Sequence, residues 1–274
     1  MVNFNGTLLP EGELFLNQEN RGLQYGDALF ETLRVVNGTL FFWEDHYFRL
    51  MASMRILRMD IPMEFTMEYL EAQVLKTVEA NGHNPKTRVK LLVFRNNGGL
   101  YTPTNNGVQF IITVSALEHP FYVVEDSSYE VELFKDHYIN ADMLSNLKTT
   151  NKMVNVVAGV YAQENGYDNC LLLNQKKQVV EAINGNLFMV VGKTIKTPPL
   201  ADGCLDGIVR KKLIALLQGL EAYDLEEASI SPFELQKADE LFITNAIQGL
   251  RPITKYRKKE FGMETVKNLV GKLN

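Results

Sequence analysis

Three positions pair a reactive side-chain type with a setting that could use it. Lys148 stands in Asn146-Leu147-Lys148-Thr149-Thr150-Asn151-Lys152, just before a pattern that predicts a helix. An ammonium there works against the helix dipole, whose N-terminus favours negative charge. Position alone still allows an ordinary solvated lysine. Glu181 follows the apolar run Val179-Val180 and precedes Ala182-Ile183-Asn184-Gly185-Asn186, as a half-buried carboxylate or a turn acid. In Leu205-Asp206-Gly207-Ile208-Val209-Arg210 a glycine directly precedes an amphipathic pattern. N–H groups left open at such a helix start can hold a phosphate, although Asp206 acting as a plain N-cap is the competing reading.

Much other chemistry is excluded. The chain has no G-x-x-x-x-G-K-[ST], no G-x-G-x-x-G after a strand, no G-x-S-x-G and no H-E-x-x-H. His46, His83, His119 and His137 show no metal-ligand spacing, so they read as structural or surface histidines and no metal is expected. A net charge of -5 with scattered Lys and Arg argues against nucleic-acid or anionic-membrane surfaces. Cys170 and Cys204 are far apart in sequence and read as two buried thiols. No signal-peptide pattern opens the chain and no apolar run reaches about 18 residues, so a cytoplasmic protein is expected.

The elements that must position these groups read as α+β in two unequal lobes, residues 1–115 and 121–274. Over 274 residues with 46% hydrophobic content, either one large or two modest cores can be buried. Residues 29–36 and 39–43 bracket Asn37-Gly38, a hairpin signal. Helices are expected from Glu44, with Tyr47, Leu50, Met51 and Met54 on one face, and over 66–81, ending at Gly82. Strands are expected at 88–94 and 108–114. In the second lobe the pattern gives strands at 129–134, 170–174, 179–181, 187–191 and 240–245. Helices are expected over 150–165, from Gly207, from Ser231-Pro232 with Glu234 at capping-box spacing, and from Met263.

Taken together, these segments resemble the class IV aminotransferases, a family that includes branched-chain aminotransferases, D-amino-acid aminotransferases and aminodeoxychorismate lyases. The resemblance starts at Arg21-Gly22-Leu23-Gln24-Tyr25-Gly26-Asp27-Ala28-Leu29-Phe30-Glu31-Thr32. It continues through His46-Tyr47-Phe48-Arg49-Leu50, Lys148-Thr149-Thr150-Asn151, Glu181-Ala182 to Asn186-Leu187-Phe188, the segment from Leu205 to Arg210, and Asp239-Glu240-Leu241-Phe242-Ile243-Thr244-Asn245. Six pieces in the family's order span nearly the whole chain.

The resemblance implies the fold type IV architecture, with a small N-terminal α/β lobe and a larger C-terminal lobe built on a pseudo-barrel. It also implies pyridoxal 5'-phosphate held between the lobes, and a homodimer. Lys148 would bond the cofactor's aldehyde and later carry the proton between Cα and C4′, and Glu181 would face the pyridine nitrogen. Arg49, the backbone of Gly207, Ile208 and Val209, and the turn at Asn245 and Ala246 would hold the phosphate. Arg49 lies opposite the apolar stripe of its helix, so periodicity alone would send it to solvent. Arg95 would bind a substrate carboxylate, with Tyr25, Phe30 and Tyr101 lining the pocket.

The subfamily is matched less cleanly. Arg95-Asn96-Asn97-Gly98-Gly99-Leu100-Tyr101 is similar to a loop of the lyases, with Leu100 in place of an arginine, and Asn245-Ala246 leans the same way. Phe30-Glu31-Thr32 is closer to the branched-chain type, but the tyrosine those enzymes place after Asn151 is missing. The leading expectation is transamination between an amino acid and a 2-oxo acid. The alternative is a lyase releasing pyruvate and 4-aminobenzoate from 4-amino-4-deoxychorismate, and the third is a binding protein that keeps the fold without the activity.

Overall fold

The structure is a computed structural model that describes residues 1–82 and 85–274. His83 lies outside the described residues. The chain divides into two compact units, one of Met1–Pro120 with Lys148–Asn151, the other of Phe121–Leu147 with Lys152–Asn274. A boundary drawn once along the chain therefore misses that the lysine segment belongs with the first unit.

In the first unit the elements run β1 (Val2–Phe4), β2 (Thr7–Leu9), α1 (Arg21–Tyr25), β3 (Ala28–Val36), β4 (Thr39–Leu40), α2 (Trp43–Ile56), α3 (Met67–Ala80), β5 (Lys86–Arg95) and β6 (Val108–Ala116). The six strands form one sheet in the order β2-β1-β6-β5-β3-β4. Alternation along the strands sorts the two faces. Leu33, Val35, Val89, Leu91, Val93 and Ile112 are buried on the side where α2 and α3 bring Leu50, Met54, Leu70 and Val74. Phe30, Arg88, Lys90 and Thr113 lie on the opposite face, half-buried or exposed.

The β3–β4 hairpin turns at Asn37 and Gly38, both at positive φ (49° and 79°), as a two-residue turn requires. Its second strand is shorter than expected, because Phe42 takes a left-handed conformation and caps α2.

The second unit holds β7 (Glu130–Leu133), α4 (Met153–Asn165), β8 (Asn169–Leu173), β9 (Val179–Ala182), β10 (Gly185–Val191), β11 (Thr194–Thr197), α5 (Ile208–Gln218), β12 (Asp224–Glu227), β13 (Glu240–Asn245), β14 (Gly249–Ile253), β15 (Lys255–Tyr256), β16 (Lys259–Glu260) and α6 (Glu264–Val270). Strand β10 is the branch point: it pairs β9 and β11 in turn and β13 along most of its length. The curled sheet wraps a core that includes Leu171, Val179, Leu187, Met189, Leu241, Ile243 and Tyr256. Its other face is covered by α4 at β8 and by α5 at β13.

Two expected helices change. The helix after Lys148 starts at Met153, since the preceding residues are drawn into extended pairing with β3. At Ser231-Pro232 only a single 3-10 turn forms, Glu234–Lys237. Half of the capping box is present there: Glu234 Oε2 accepts the Ser231 N–H at 2.7 Å. Among the described residues, no helix is long and apolar enough to cross a membrane.

Candidate active site

Lys148 sits on an extended segment, not at a helix start. Its carbonyl accepts the Phe30 N–H at 2.9 Å, the Thr150 N–H donates to Ala28 O at 3.1 Å, and Leu29 bridges Thr149. The segment is thus a short extra strand beside β3. Directly opposed residues share a face, so Lys148 and Phe30 meet, with Nζ 4.5 Å from the ring centroid. The segment's far end is tied down by Thr150 Oγ1 and Asn151 Nδ2, which both donate to Gly26 O, at 3.1 and 2.9 Å. Gly26 has φ +62°, and a Cβ there would stand 2.6 Å from Asn151 Oδ1, so this approach requires glycine.

Lys90 reaches the same ring from β5, with Nζ 5.1 Å from the Phe30 centroid. One aromatic ring therefore contacts two ammonium groups, an arrangement that favours an anion nearby.

Arg49 does not go to solvent as its helical phase suggested. Its Nε donates to Glu31 Oε1 at 2.9 Å and a terminal nitrogen pairs with Glu31 Oε2. His46, one helical turn earlier, places Nδ1 2.7 Å from the same Oε2. Burial opposes charge on Glu31, but the Arg49 guanidinium and the His46 hydrogen bond together hold its carboxyl down at about 2. Glu31 is therefore a carboxylate, and His46 must donate from Nδ1. Burial keeps His46 neutral, pushing its pKa below the ordinary 6.5 against the pull of Glu31. Sequence reading quoted Glu31 and His46 as family residues but missed that they form one network with Arg49. The i, i+3 spacing of His46 and Arg49 was the available signal.

Arg95 is a correction. Its side chain is buried, and its Nε donates to Asp27 Oδ2 at 2.9 Å. Nη1 donates to Arg58 O and Asn106 Oδ1, and Nη2 to Leu57 O. These four hydrogen bonds make the guanidinium a cross-link within the protein, not the open cation expected for a substrate carboxylate. Asp27 Oδ2 also accepts Arg21 Nε, and Arg21 Nη1 clamps the carbonyls of Gly98, Gly99 and Leu100. That clamp sets Tyr101 against Tyr25, with centroids 5.7 Å apart, while Tyr101 stays 90% exposed.

In the second unit Glu181 is buried, and its Oε2 accepts the Leu205 N–H at 2.8 Å. Gly207 is the N-cap of α5, without a side-chain cap and with no acid in the first turn, so Ile208 and Val209 open the helix on bare backbone. Arg210 turns away to Pro198 O and Glu227, tying α5 to its neighbours. Asn245 spends its side chain on its own turn: Oδ1 accepts the N–H groups of Ile247 and Gln248, and Nδ2 donates to Gln248. Ala246 O accepts Tyr122 OH at 3.1 Å. Cys170 and Cys204 are both unbridged and buried, their thiols pushed up to about 11 and 12 by burial.

The chain has counterparts among known proteins. The family description "Amino-transferase class IV" matches residues 28–256, and the chain belongs to that family. A Methanocaldococcus jannaschii protein, provisionally named a branched-chain-amino-acid aminotransferase, is 31% identical over 92% of this chain and 86% of its own length. The aminodeoxychorismate lyase of Vibrio harveyi is 25% identical over 86% of this chain and 85% of its own. Among solved structures, the branched-chain aminotransferase of Thermoproteus uzoniensis with norvaline superposes with a TM-score of 0.89 at 25% identity, covering 99% of this chain and 92% of that one. The fold is that of the fold type IV aminotransferases.

Proposed function

We propose that the protein is a pyridoxal-phosphate-dependent aminotransferase, moving an amino group between an amino acid and a 2-oxo acid. Enzymes of the family work with this cofactor. The observation that carries the reading is Lys148, an amine on a strand pinned at both ends and seated on an aromatic ring. The donor set fits the cofactor: a lysine for the aldehyde, a buried acid for the ring nitrogen, and an uncapped eleven-residue helix for the phosphate.

When bound, the cofactor supplies an electron sink for the carbanion formed at the substrate's Cα. Lys148 would hold the cofactor's aldehyde carbon and, once released as a free amine, would move the proton at the substrate's Cα. Glu181, whose Oε2 is held by the Leu205 N–H, would hold a proton on the ring nitrogen. The N–H groups of Ile208 and Val209 bind the phosphate. Arg49, oriented by Glu31, adds a cation to it, a role supported by family resemblance. Asn245 and Ala246 contribute a shaped backbone turn. With Arg95 committed elsewhere, Lys90, on the ring of Phe30, is the cation for a substrate carboxylate, and Tyr25 and Tyr101 are further pocket residues.

The same reading includes a homodimer and a cytoplasmic location. The Arg21 clamp brings Leu100 and Tyr101 to α1, where Leu23 is also bare; Leu23 is 76% and Leu100 77% exposed. Apolar side chains gathered this way favour a second copy. The two unbridged thiols suit a reducing compartment.

The Asn245-Ala246 turn and the lyase relative favour a second reading, a 4-amino-4-deoxychorismate lyase. A visible spectrum of the purified protein, titrated with D- and L-amino acids, tests the first. A yellow chromophore that Lys148→Ala abolishes, bleached by one amino acid and restored by a keto acid, is expected. Pyruvate released from aminodeoxychorismate with no keto acid present would instead establish the lyase.

A further inference from the structure

Three buried polar side chains stand in a row across the curled sheet. Glu181 on β9 lies directly opposite Asn186 on β10, and Asn186 lies directly opposite Thr244 on β13. Directly opposed residues project from the same face. All three therefore rise from the face that α5 covers, with exposures of 6%, 3% and 1%.

The first two members are spoken for. Glu181 Oε2 accepts the Leu205 N–H at 2.8 Å, and Asn186 Nδ2 donates to Leu205 O at 2.8 Å. Asn186 Oδ1 lies so close to Gly207 that a Cβ there would overlap it. The row is thus the floor beneath the strand-to-helix connection and the N-terminus of α5.

The third member has no such partner. Thr244 Oγ1 is buried without any hydrogen bond. A buried hydroxyl in that state is unusual and calls for a partner. The first turn of α5 offers open backbone N–H groups, while Ile208 and Val209 are apolar and Arg210 Nη2 is turned to Pro198 O and Glu227. A helix N-terminus collects an anion, and a neighbouring hydroxyl can add one more donor to it.

We propose that Thr244 Oγ1 donates a hydrogen bond to an oxygen of a phosphate monoester held at the N-terminus of α5. Thr244 adds a side-chain donor to the backbone N–H groups of that helix end. The inference rests on the cofactor reading above and extends it to a residue that reading does not use.

The test compares the wild type with Thr244→Val, which keeps the shape, and with the pair Thr244→Ser and Thr244→Ala, which differ from each other only in the oxygen. Dissociation constants are measured for pyridoxal phosphate and for pyridoxal, which lacks the phosphate. Melting temperatures of the apoprotein are measured with and without inorganic phosphate. Loss of one hydrogen bond to a charged group should weaken pyridoxal phosphate about tenfold or more in the Val and Ala variants. Thr244→Ser should stay near wild type, and pyridoxal binding should change less than about twofold in every variant. Without phosphate, Thr244→Val should melt no lower than wild type, since it removes an unpaired polar atom.

Equal binding of pyridoxal phosphate by Thr244→Val and wild type overturns the proposal. So does an equal loss for pyridoxal and its phosphate, which would put the contact on the ring. If Thr244→Val does not fold, the Ser and Ala pair decides by the same criterion. A wild type that binds no pyridoxal phosphate, yet gains stability from inorganic phosphate that Thr244→Val does not, keeps this seat while ending the cofactor reading. A wild type that binds the cofactor through Lys148, with no variant affected, does the reverse.

Discussion

Glu31, in the middle of β3, and Arg49, on α2, form a bidentate ion pair that is almost completely buried, with side-chain exposures of 2% and 10%. His46 donates to the same carboxylate, so one acid orients both residues of the helix. Glu31→Gln keeps the shape but leaves Arg49 without its counter-charge. Breaking a buried pair on one side costs about 3–5 kcal/mol. Urea unfolding of the variant should show a loss of that order; a loss below about 1 kcal/mol would mean that solvent replaces the carboxylate.

The same network sets the acid limb of stability. The Glu31 pKa is depressed in the fold, from 4.5 to about 2. Its contribution is complete above 4.5 and is lost as pH falls toward 2. The His46 pKa is also depressed, below 6.5, so the unfolded chain takes up that proton first. Stability from the neutral imidazole is therefore complete above 6.5 and declines below it. Chemical denaturation from pH 8 down to 4.5 should show this decline in wild type. His46→Gln should flatten that part of the curve while leaving the limb below 4.5.

Arg95 and Lys90 separate architecture from recognition. Arg95→Lys cannot keep four hydrogen bonds to Asp27, Arg58, Asn106 and Leu57. It should lower the melting temperature by several degrees, a loss of about 1–3 kcal/mol, with the amino-acid KM little changed. Lys90→Met, at an exposed position, should leave stability within about 0.5 kcal/mol and raise the amino-acid KM about tenfold. The opposite pattern would return Arg95 to the substrate.

These two residues also mark what was legible in the sequence. Strands β3, β5, β6 and β13 were readable because apolar runs and alternation are local. Glu181 and the α5 start were readable as motifs for the same reason. The destination of a guanidinium is not local: Arg95 reaches Asp27 and Leu57, 68 and 38 residues away. The helix expected from Thr150 starts three residues late for the same reason, because the backbone bonds of Lys148 and Thr150 go to β3, about 120 residues earlier. Lys90 was not singled out in the sequence, because the Phe30 ring it shares with Lys148 joins it to a distant segment.

Gly207 is the last test of how the α5 end is built. Its φ of -74° suits any residue, so an alanine there meets no backbone strain. The obstacle is steric, since a Cβ would overlap Asn186 Oδ1. Gly207→Ala must push Asn186 aside or tilt the helix end, at a cost of about 1–3 kcal/mol. Because Asn186 Nδ2 also holds Leu205 O, that movement should loosen the N-terminus and weaken cofactor binding along with stability. Asn186→Ala removes the clash along with that hydrogen bond, so the two substitutions should not add. A double-mutant cycle should give a coupling of about 0.5–3 kcal/mol, favourable to the pair. Simple additivity would mean that the glycine and the asparagine do not share one constraint, and that the close approach of β10 to α5 does not set the position of the helix end.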